Sequence, residues 1–134
     1  MASIEEMGVP VLGEAIDFAR QDLLLDALLG YNSRGPPREP MAGLIRRANA
    51  SGIPILAIDI PSGLDPNTGT PNDPCIVATA TLTLALPKTG FLNPASTRFV
   101  GELYLGDVSI PSRVYAEYHQ AASLFEKGQI VKIR

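Results

Sequence analysis

One cysteine, Cys75, and one histidine, His119, stand in 134 residues. A single cysteine excludes an intrachain disulfide and a cysteine-based zinc site, and a single histidine excludes a multi-histidine metal centre within one chain. A lone buried thiol in a reducing compartment is the expected state of Cys75. Basic charge is also scarce. Eleven Lys and Arg against 14 Asp and Glu give a net charge of −3. The sole basic pair is Arg46-Arg47, so the basic stripe of a nucleic-acid binder is missing. No apolar run approaches the ~20 residues of a membrane span. The acidic start, Met1–Pro10, lacks the apolar stretch of a secretory leader. These absences lead us to expect a cytoplasmic protein with neither nucleic acid nor membrane as a partner. Twelve glycines and 12 prolines fall below the roughly 25–30% that marks low-complexity chains, yet they promise long turns. Hydrophobic residues at 46% suffice for one core, and the chain reads as a single domain over 1–134, with a tail of uncertain structure over 112–134.

The hydrophobic pattern alternates between two periods. Gly8–Val11, with Leu12, reads as a short strand near an edge, because Pro10 cannot donate to a ladder. Glu14–Arg20 fits a short helix. Asp22–Leu29 has an unbroken apolar centre, the mark of a strand buried on both faces. Gly30–Arg38, with Gly35, Pro36 and Pro37, is a loop. Over Glu39–Ala50, Met41, Leu44, Ile45 and Ala48 form one helical stripe, with Pro40 suited to the first helical position and Gly52 to a cap beyond the end. Ile53–Ile60 reads as a second fully buried strand, Pro61–Pro74 as a long loop, and Thr79–Leu86 as a strand of period two. Glu102–Gly106 and Gln129–Ile133 read as extended, and Tyr115–Phe125 as helical. Strand, helix, strand, helix, strand is the α/β signature, with right-handed crossovers making the strands parallel. The expected architecture is a three-layer α/β/α Rossmann-like sandwich with a mainly parallel sheet.

Ligands of open parallel sheets bind at the carboxyl ends of the strands. Three consecutive strands end there in Asp26, Asp59 and Lys88. A carboxylate ending a buried strand needs a partner: a cation, a substrate hydroxyl or Lys88. The competing reading makes such an Asp the cap of a following helix. In Asp59-Ile60-Pro61-Ser62-Gly63-Leu64-Asp65, Pro61 fixes a turn, Ser62 offers oxygens and Gly63 permits an unusual backbone angle. The loop either wraps a monovalent cation or is a plain strand exit. Gly30–Pro36, with Arg34, is open to phosphate binding through Arg and backbone amides, but lacks the spacing of either nucleotide fingerprint. Tyr31 stacks on a ligand ring or packs. Arg46 and Arg47 read as solvated charge, and His119 is assigned no role. A receiver-type signalling domain also sets Asp and Lys on strand ends, but it needs an acidic pair on the first strand and Lys-Pro, whereas this chain has Pro87-Lys88.

Asp26-Ala27-Leu28-Leu29-Gly30, Ser33-Arg34 with Pro37, Ile58 through Asp65, Thr68-Gly69 and Ala85-Leu86-Pro87-Lys88-Thr89-Gly90 occur in order with fitting gaps. Over about residues 3–110 the chain resembles the NAD(P)H-hydrate epimerase family, the YjeF N-terminal domain. The resemblance implies a Rossmann-like fold and interconversion of the R and S epimers of hydrated NADH or NADPH. It implies a potassium ion at Asp26 and Ser62, and nucleotide contacts from Gly30, Tyr31, Asn32, Ser33, Arg34, Gly35, Pro36 and Asp59. Asp59 and Lys88 become the catalytic candidates, with Asp59 handling the ring hydroxyl. The family's Asn- and Gly-rich phosphate loop, of the type N-N-G-G-D-G, has no counterpart in this sequence. The chain therefore corresponds to the C-terminal part of the family domain, lacking its N-terminal portion. It is expected to turn over poorly alone and to self-associate or take a partner chain. A non-catalytic nucleotide-binding or interaction module of the same fold is the alternative. Asp26, Ser62, Asp59 and the Gly30–Pro36 loop are expected to line one cleft with Lys88 at its rim.

Overall fold

The computed structural model describes residues 6–11, 16–111, 114, 125 and 128–134. Five strands form one sheet in chain order: β1 (Leu24–Asp26), β2 (Ile55–Ile58), β3 (Ala80–Leu84), β4 (Glu102–Gly106) and β5 (Ile130–Lys132). The first four are parallel, and β5 returns antiparallel to β4. The fold is thus α/β with a mostly parallel sheet, as the alternation of periods predicts.

Helix α1 (Met41–Ala50) makes the crossover from β1 to β2. Its stripe buries Ile45 and Ala48, with Met41 and Leu44 half-buried. Glu39 holds the helix start by accepting the Gly43 amide at 2.8 Å. Gly52, just past the end, has φ +73°, a conformation that glycine adopts without penalty. Between β3 and β4 the chain runs through 3-10 turns at Thr89–Leu92 and Pro94–Ser96 into a single-turn helix, α2 (Thr97–Val100).

The register sets Ile55 and Ala57 of β2, Thr81 and Thr83 of β3, and Leu103 and Leu105 of β4 on one face. All six are buried. Ile45 and Ala48 of α1 pack with Ile55, Ala57, Ile76 and Ala78 at one end of that face. Phe91, Phe99 and Val100 pack with Ile60, Leu64 and Leu103 at the other. The Thr81 hydroxyl, which no water reaches, donates to the Val100 carbonyl at 2.7 Å. Among the described residues, helices cover this face alone. The opposite face presents Leu25, Leu56, Ile58, Leu82, Leu84 and Tyr104, half-buried except Leu25, which is 64% exposed.

That exposure revises the reading of Asp22–Leu29 as a strand buried on both faces. The strand is short, Leu24–Asp26, and has one sheet neighbour, β2, among the described residues. An edge position leaves Leu23 and Leu25 in contact with solvent. Ile53–Ile60 is likewise buried on one face only, with Leu56 and Ile58 half-buried. The strand expected at Gly8–Val11 does not form, and Leu12 lies outside the described residues. Of the expected helix Glu14–Arg20, the described part holds one 3-10 turn, Phe18–Arg20, capped by Asp17. The extended reading of Gln129–Ile133 is met by β5, whereas Tyr115–Phe125 lies outside the described residues except Phe125.

Candidate functional site

The carboxyl ends of β1, β2 and β3 carry two clusters of polar side chains. The first joins Asp26 to Ser62. Asp26, 4% exposed at the end of β1, accepts the Ser62 hydroxyl at 2.6 Å, the Ser62 amide at 2.7 Å and the Leu28 amide at 3.3 Å. The Ser62 oxygen in turn accepts the Leu29 amide at 3.0 Å. Asp26 therefore fastens the turn after β2 to the turn after β1, which the adjacency of the two strands makes possible. Burial pushes its carboxyl above the ordinary range, and the bonds from Ser62 and Leu28 only partly offset that. Asp26 has no ion-pair partner among the described residues. Both side chains offer oxygen, the donor type of hard cations. A buried carboxylate lacking a basic neighbour is the condition that a cation relieves. The described residues contain no group of three His, Cys, Asp or Glu side chains able to hold a metal, so Asp26 and Ser62 would supply only part of a shell.

Gly63 makes this turn possible. Its φ is +95°, and a Cβ there would lie 2.4 Å from the Pro74 carbonyl oxygen. The Gly63 carbonyl accepts both the backbone and side-chain amides of Asn72, and the Ser62 carbonyl accepts the Ile76 amide at 2.9 Å. Cys75 lies beneath this turn. Burial, aided by the nearby Asp26 charge, lifts its thiol to about 12.

The second cluster joins Asp59 to Lys88. Asp59 follows β2 with φ +69°, a left-handed conformation in which Asp is several-fold enriched. Asp59 caps no helix, because none follows it. Its Oδ1 instead crosses to β3, accepting the Leu84 amide at 3.0 Å and lying 3.4 Å from the Thr83 hydroxyl. The Lys88 ammonium sits 2.6 Å from the same oxygen. It also donates to the carbonyls of Leu84 at 3.1 Å and Leu86 at 3.2 Å. An ammonium has three protons, and three acceptors surround this one. Asp59 Oδ2 has no partner among the described residues. Asp59 lines a concavity of about 430 Å³ whose walls include Tyr31, Asn67, Leu84, Leu86, Lys88 and Ile110.

The expected single cleft is divided. Asp59, Lys88 and Tyr31 share the concavity just described. Gly30, Ser33 and Gly35 line a narrow cleft against Pro61 and Gly63. Arg34 and Pro36 open, with Ser33 and Gly35, onto a third depression toward Arg38 and Met41. Asn32 is exposed and lines none of these. Asp26 lines instead the apolar groove beside β1 and α1. Arg34, expected to meet phosphate, donates to the carbonyls of Tyr31 at 2.8 Å and Ser33 at 3.0 Å, bracing its own loop. The residue that sequence reasoning missed is Asn67. It sits among turn formers, Asp65-Pro66-Asn67-Thr68-Gly69, and such a run signals a loop rather than chemistry. What brings it to the site is tertiary: the Gly90 amide bonds the Pro66 carbonyl at 2.8 Å, and the Thr89 hydroxyl bonds the Asn67 carbonyl at 3.1 Å.

Comparison with known proteins gives this geometry a family. The family described as YjeF-related protein N-terminus matches residues 1–90. A protein of Dehalogenimonas lykanthroporepellens named NAD(P)H-hydrate epimerase is 41% identical over 126 residues, covering 92% of this chain and 47% of that protein. This chain belongs to the YjeF-related N-terminal family. A Weissella koreensis NAD(P)H-hydrate epimerase is 35% identical, covering 87% of this chain and 52% of that protein. The crystal structure of yeast YNL200c superimposes with a TM-score of 0.69 at 25% identity, covering 84% of this chain and 46% of that one. The chain thus spans about half the length of the relatives it matches. The YjeF-related region contains Asp26, the Gly30–Pro36 loop, Asp59, Ser62 and Lys88, and ends before β4 and β5. Among the described residues, no helix is long and apolar enough to cross a membrane.

Proposed function

We propose that this chain carries the reaction site of a NAD(P)H-hydrate epimerase, interconverting the R and S forms of hydrated NADH or NADPH. The observation that carries the reading is the Asp59 carboxylate. One oxygen is held by Leu84 and Lys88, the other has no partner among the described residues, and Asp59 lines a ring-sized concavity. On this reading Asp59 Oδ2 takes the proton of the hydroxyl on the damaged ring carbon. The C–O bond becomes a carbonyl as the ring C–N bond breaks, its electron pair going to nitrogen. Reclosure from either face returns the proton and scrambles the centre. Lys88, with all its protons engaged, orients Asp59 and balances its charge rather than donating to substrate. Asp26 and Ser62 are the oxygen ligands for a potassium ion, which supplies fixed positive charge beside the site. Of the Gly30–Pro36 segment, Tyr31 shares the concavity with Asp59 and meets the ring on this reading, while Gly30, Asn32, Ser33, Arg34, Gly35 and Pro36 meet the rest of the nucleotide.

Turnover by this chain alone is low on this reading, because the sequence holds no glycine-rich loop of the kind that cradles a pyrophosphate. Pyrophosphates are normally held by glycine-rich loops and helix N-termini, and Arg34 is committed to its own loop. That commitment favours a second reading for the isolated chain, nucleotide binding without turnover. The edge of β1, which has no second neighbour among the described residues, makes self-association or a partner chain the natural complement.

The test is epimerisation of R-hydrated NADH by the 134-residue chain in potassium buffer, beside a full-length relative. Slow turnover that Asp59→Asn abolishes is expected. Turnover unchanged by Asp59→Asn would remove Asp59 from the chemistry. The ion is tested separately: potassium should raise the melting temperature more than sodium does, and Asp26→Asn should erase that difference.

A further inference from the structure

The lining of the concavity beside Asp59 carries a second polar atom without a partner among the described residues. Asn67 lies on its wall. The Tyr31 hydroxyl donates to Asn67 Oδ1 at 3.1 Å. The Asn67 backbone is held on both sides, its amide by Asp65 at 2.9 Å and its carbonyl by Thr89 at 3.1 Å. With Oδ1 taken by Tyr31, the amide is turned so that Nδ2 is the free end, and Nδ2 has no partner among the described residues. Nδ2 can only donate, and Asp59 Oδ2, when ionised, can only accept.

Among the described residues, the side chains lining the pocket thus leave one donor, Asn67 Nδ2, and one acceptor, Asp59 Oδ2, unpartnered between the apolar walls of Leu84, Leu86 and Ile110. Its volume, about 430 Å³, is at the lower end of small-molecule sites and suits one ring nucleoside. The complementary ligand carries a hydroxyl donor and a carbonyl acceptor on one small ring. A hydrated dihydronicotinamide has both: the added hydroxyl and the carboxamide oxygen.

We infer that Asn67 is a specificity-determining residue, its Nδ2 donating to the carboxamide oxygen of the ring while Asp59 takes the ring hydroxyl. Tyr31 fixes the Asn67 amide in the donating orientation. This inference rests on the epimerase reading and adds what selects the ring. A site built to hydrogen-bond a substrate group discriminates through that bond, because its absence leaves a desolvated polar atom unpaired.

Two probes separate the outcomes, both mononucleotides and so independent of any pyrophosphate cradle. One is hydrated, reduced nicotinamide mononucleotide. The other is its analogue with an acetyl group in place of the carboxamide, which keeps the carbonyl and loses the NH₂. Affinities are read from backbone amide shifts of the 134-residue chain in potassium buffer, where an unchanged remainder of the spectrum shows that each variant is folded. Asn67→Leu should weaken both probes about tenfold, the effect of roughly one net hydrogen bond. Asn67→Asp replaces the donor by an acceptor. The carboxamide can rotate its NH₂ toward it and should stay within about threefold, whereas the acetyl analogue cannot and should lose at least tenfold. If Asp59→Asn weakens binding but both Asn67 variants bind both probes like the parent chain, the inference fails and the epimerase reading stands. If the parent chain does not bind the hydrated mononucleotide at millimolar concentration, the reading fails and takes the inference with it.

Discussion

At the scale of single residues, the ion pair at the site constrains what substitution can do. Asp59 and Lys88 are 2.6 Å apart with side chains only 28% and 14% exposed, so solvent screens them incompletely. Lys88→Met should leave KM within about twofold and lower kcat, because Asp59 loses its orienting partner while the ring contacts remain. Its fold should hold, at a cost of about 1–3 kcal/mol in stability from the lost charge-assisted bonds, measurable by urea unfolding. Lys88→Arg should restore part of kcat. A rise in KM at unchanged kcat would instead put Lys88 in ground-state binding. Cys75 gives a prediction about pH. Its thiol titrates near 12 in the folded chain against an ordinary 9.0. A raised acid favours the folded state fully below pH 9, and that contribution is lost as pH rises through 12. Alkylation of the native chain at pH 8 should thus be negligible and become rapid in urea. Cys75→Ala should flatten the loss of stability above pH 9.

At the scale of elements, two segments position the site, and each depends on one residue. Helix α1 reaches the sheet through Ile45, which is wholly buried. Ile45→Ala should cost about 2–5 kcal/mol, read as a lower denaturation midpoint at unchanged slope. The turn that carries Ser62 needs Gly63, since a Cβ would strike the Pro74 carbonyl oxygen in a left-handed conformation. Gly63→Ala should destabilise by more than about 2 kcal/mol. It should also cancel the potassium-dependent gain in melting temperature, because Ser62 moves away from Asp26. The elements themselves were largely legible. The stripe of α1 and the alternation Thr81, Thr83 against Leu82, Leu84 are periodic signals that survive without tertiary knowledge. The strand expected at Gly8–Val11 rested on a few apolar residues around a proline, a pattern too short to separate a strand from a loop.

At the scale of the molecule, the sheet has two edge strands among the described residues: β5, which pairs antiparallel with β4, and β1, which pairs with β2 alone. β5 is held by register and by Lys132, which meets Glu102 at 2.7 Å. At the β1 edge, Leu25 and the preceding Leu23 are exposed. An open apolar edge recruits another strand, and the relatives that this chain matches are about twice its length. The 134-residue chain is therefore expected to sediment as a dimer or larger species at micromolar concentration. Leu25→Lys should shift it toward monomer without unfolding it, because Leu25 contributes little to the core. A monomeric parent chain in sedimentation equilibrium would contradict this.

The sequence by itself determined the α/β class, the strand ends that carry Asp26, Asp59 and Lys88, and the turn around Ser62 and Gly63, because these rest on local period and local turn chemistry. It could not decide which polar groups meet. Asp26 pairs with Ser62, 36 residues away, and Asp59 with the end of β3, 25 residues away, through strand adjacency that no local pattern encodes. For the same reason Asn67 remained a loop residue, and Arg34 a phosphate candidate, until the fold showed Tyr31 bonded to the one and carbonyls surrounding the other. Burial on two faces or on one is likewise a tertiary fact: the apolar run around Leu25 is the same whether a neighbouring strand covers it or water does.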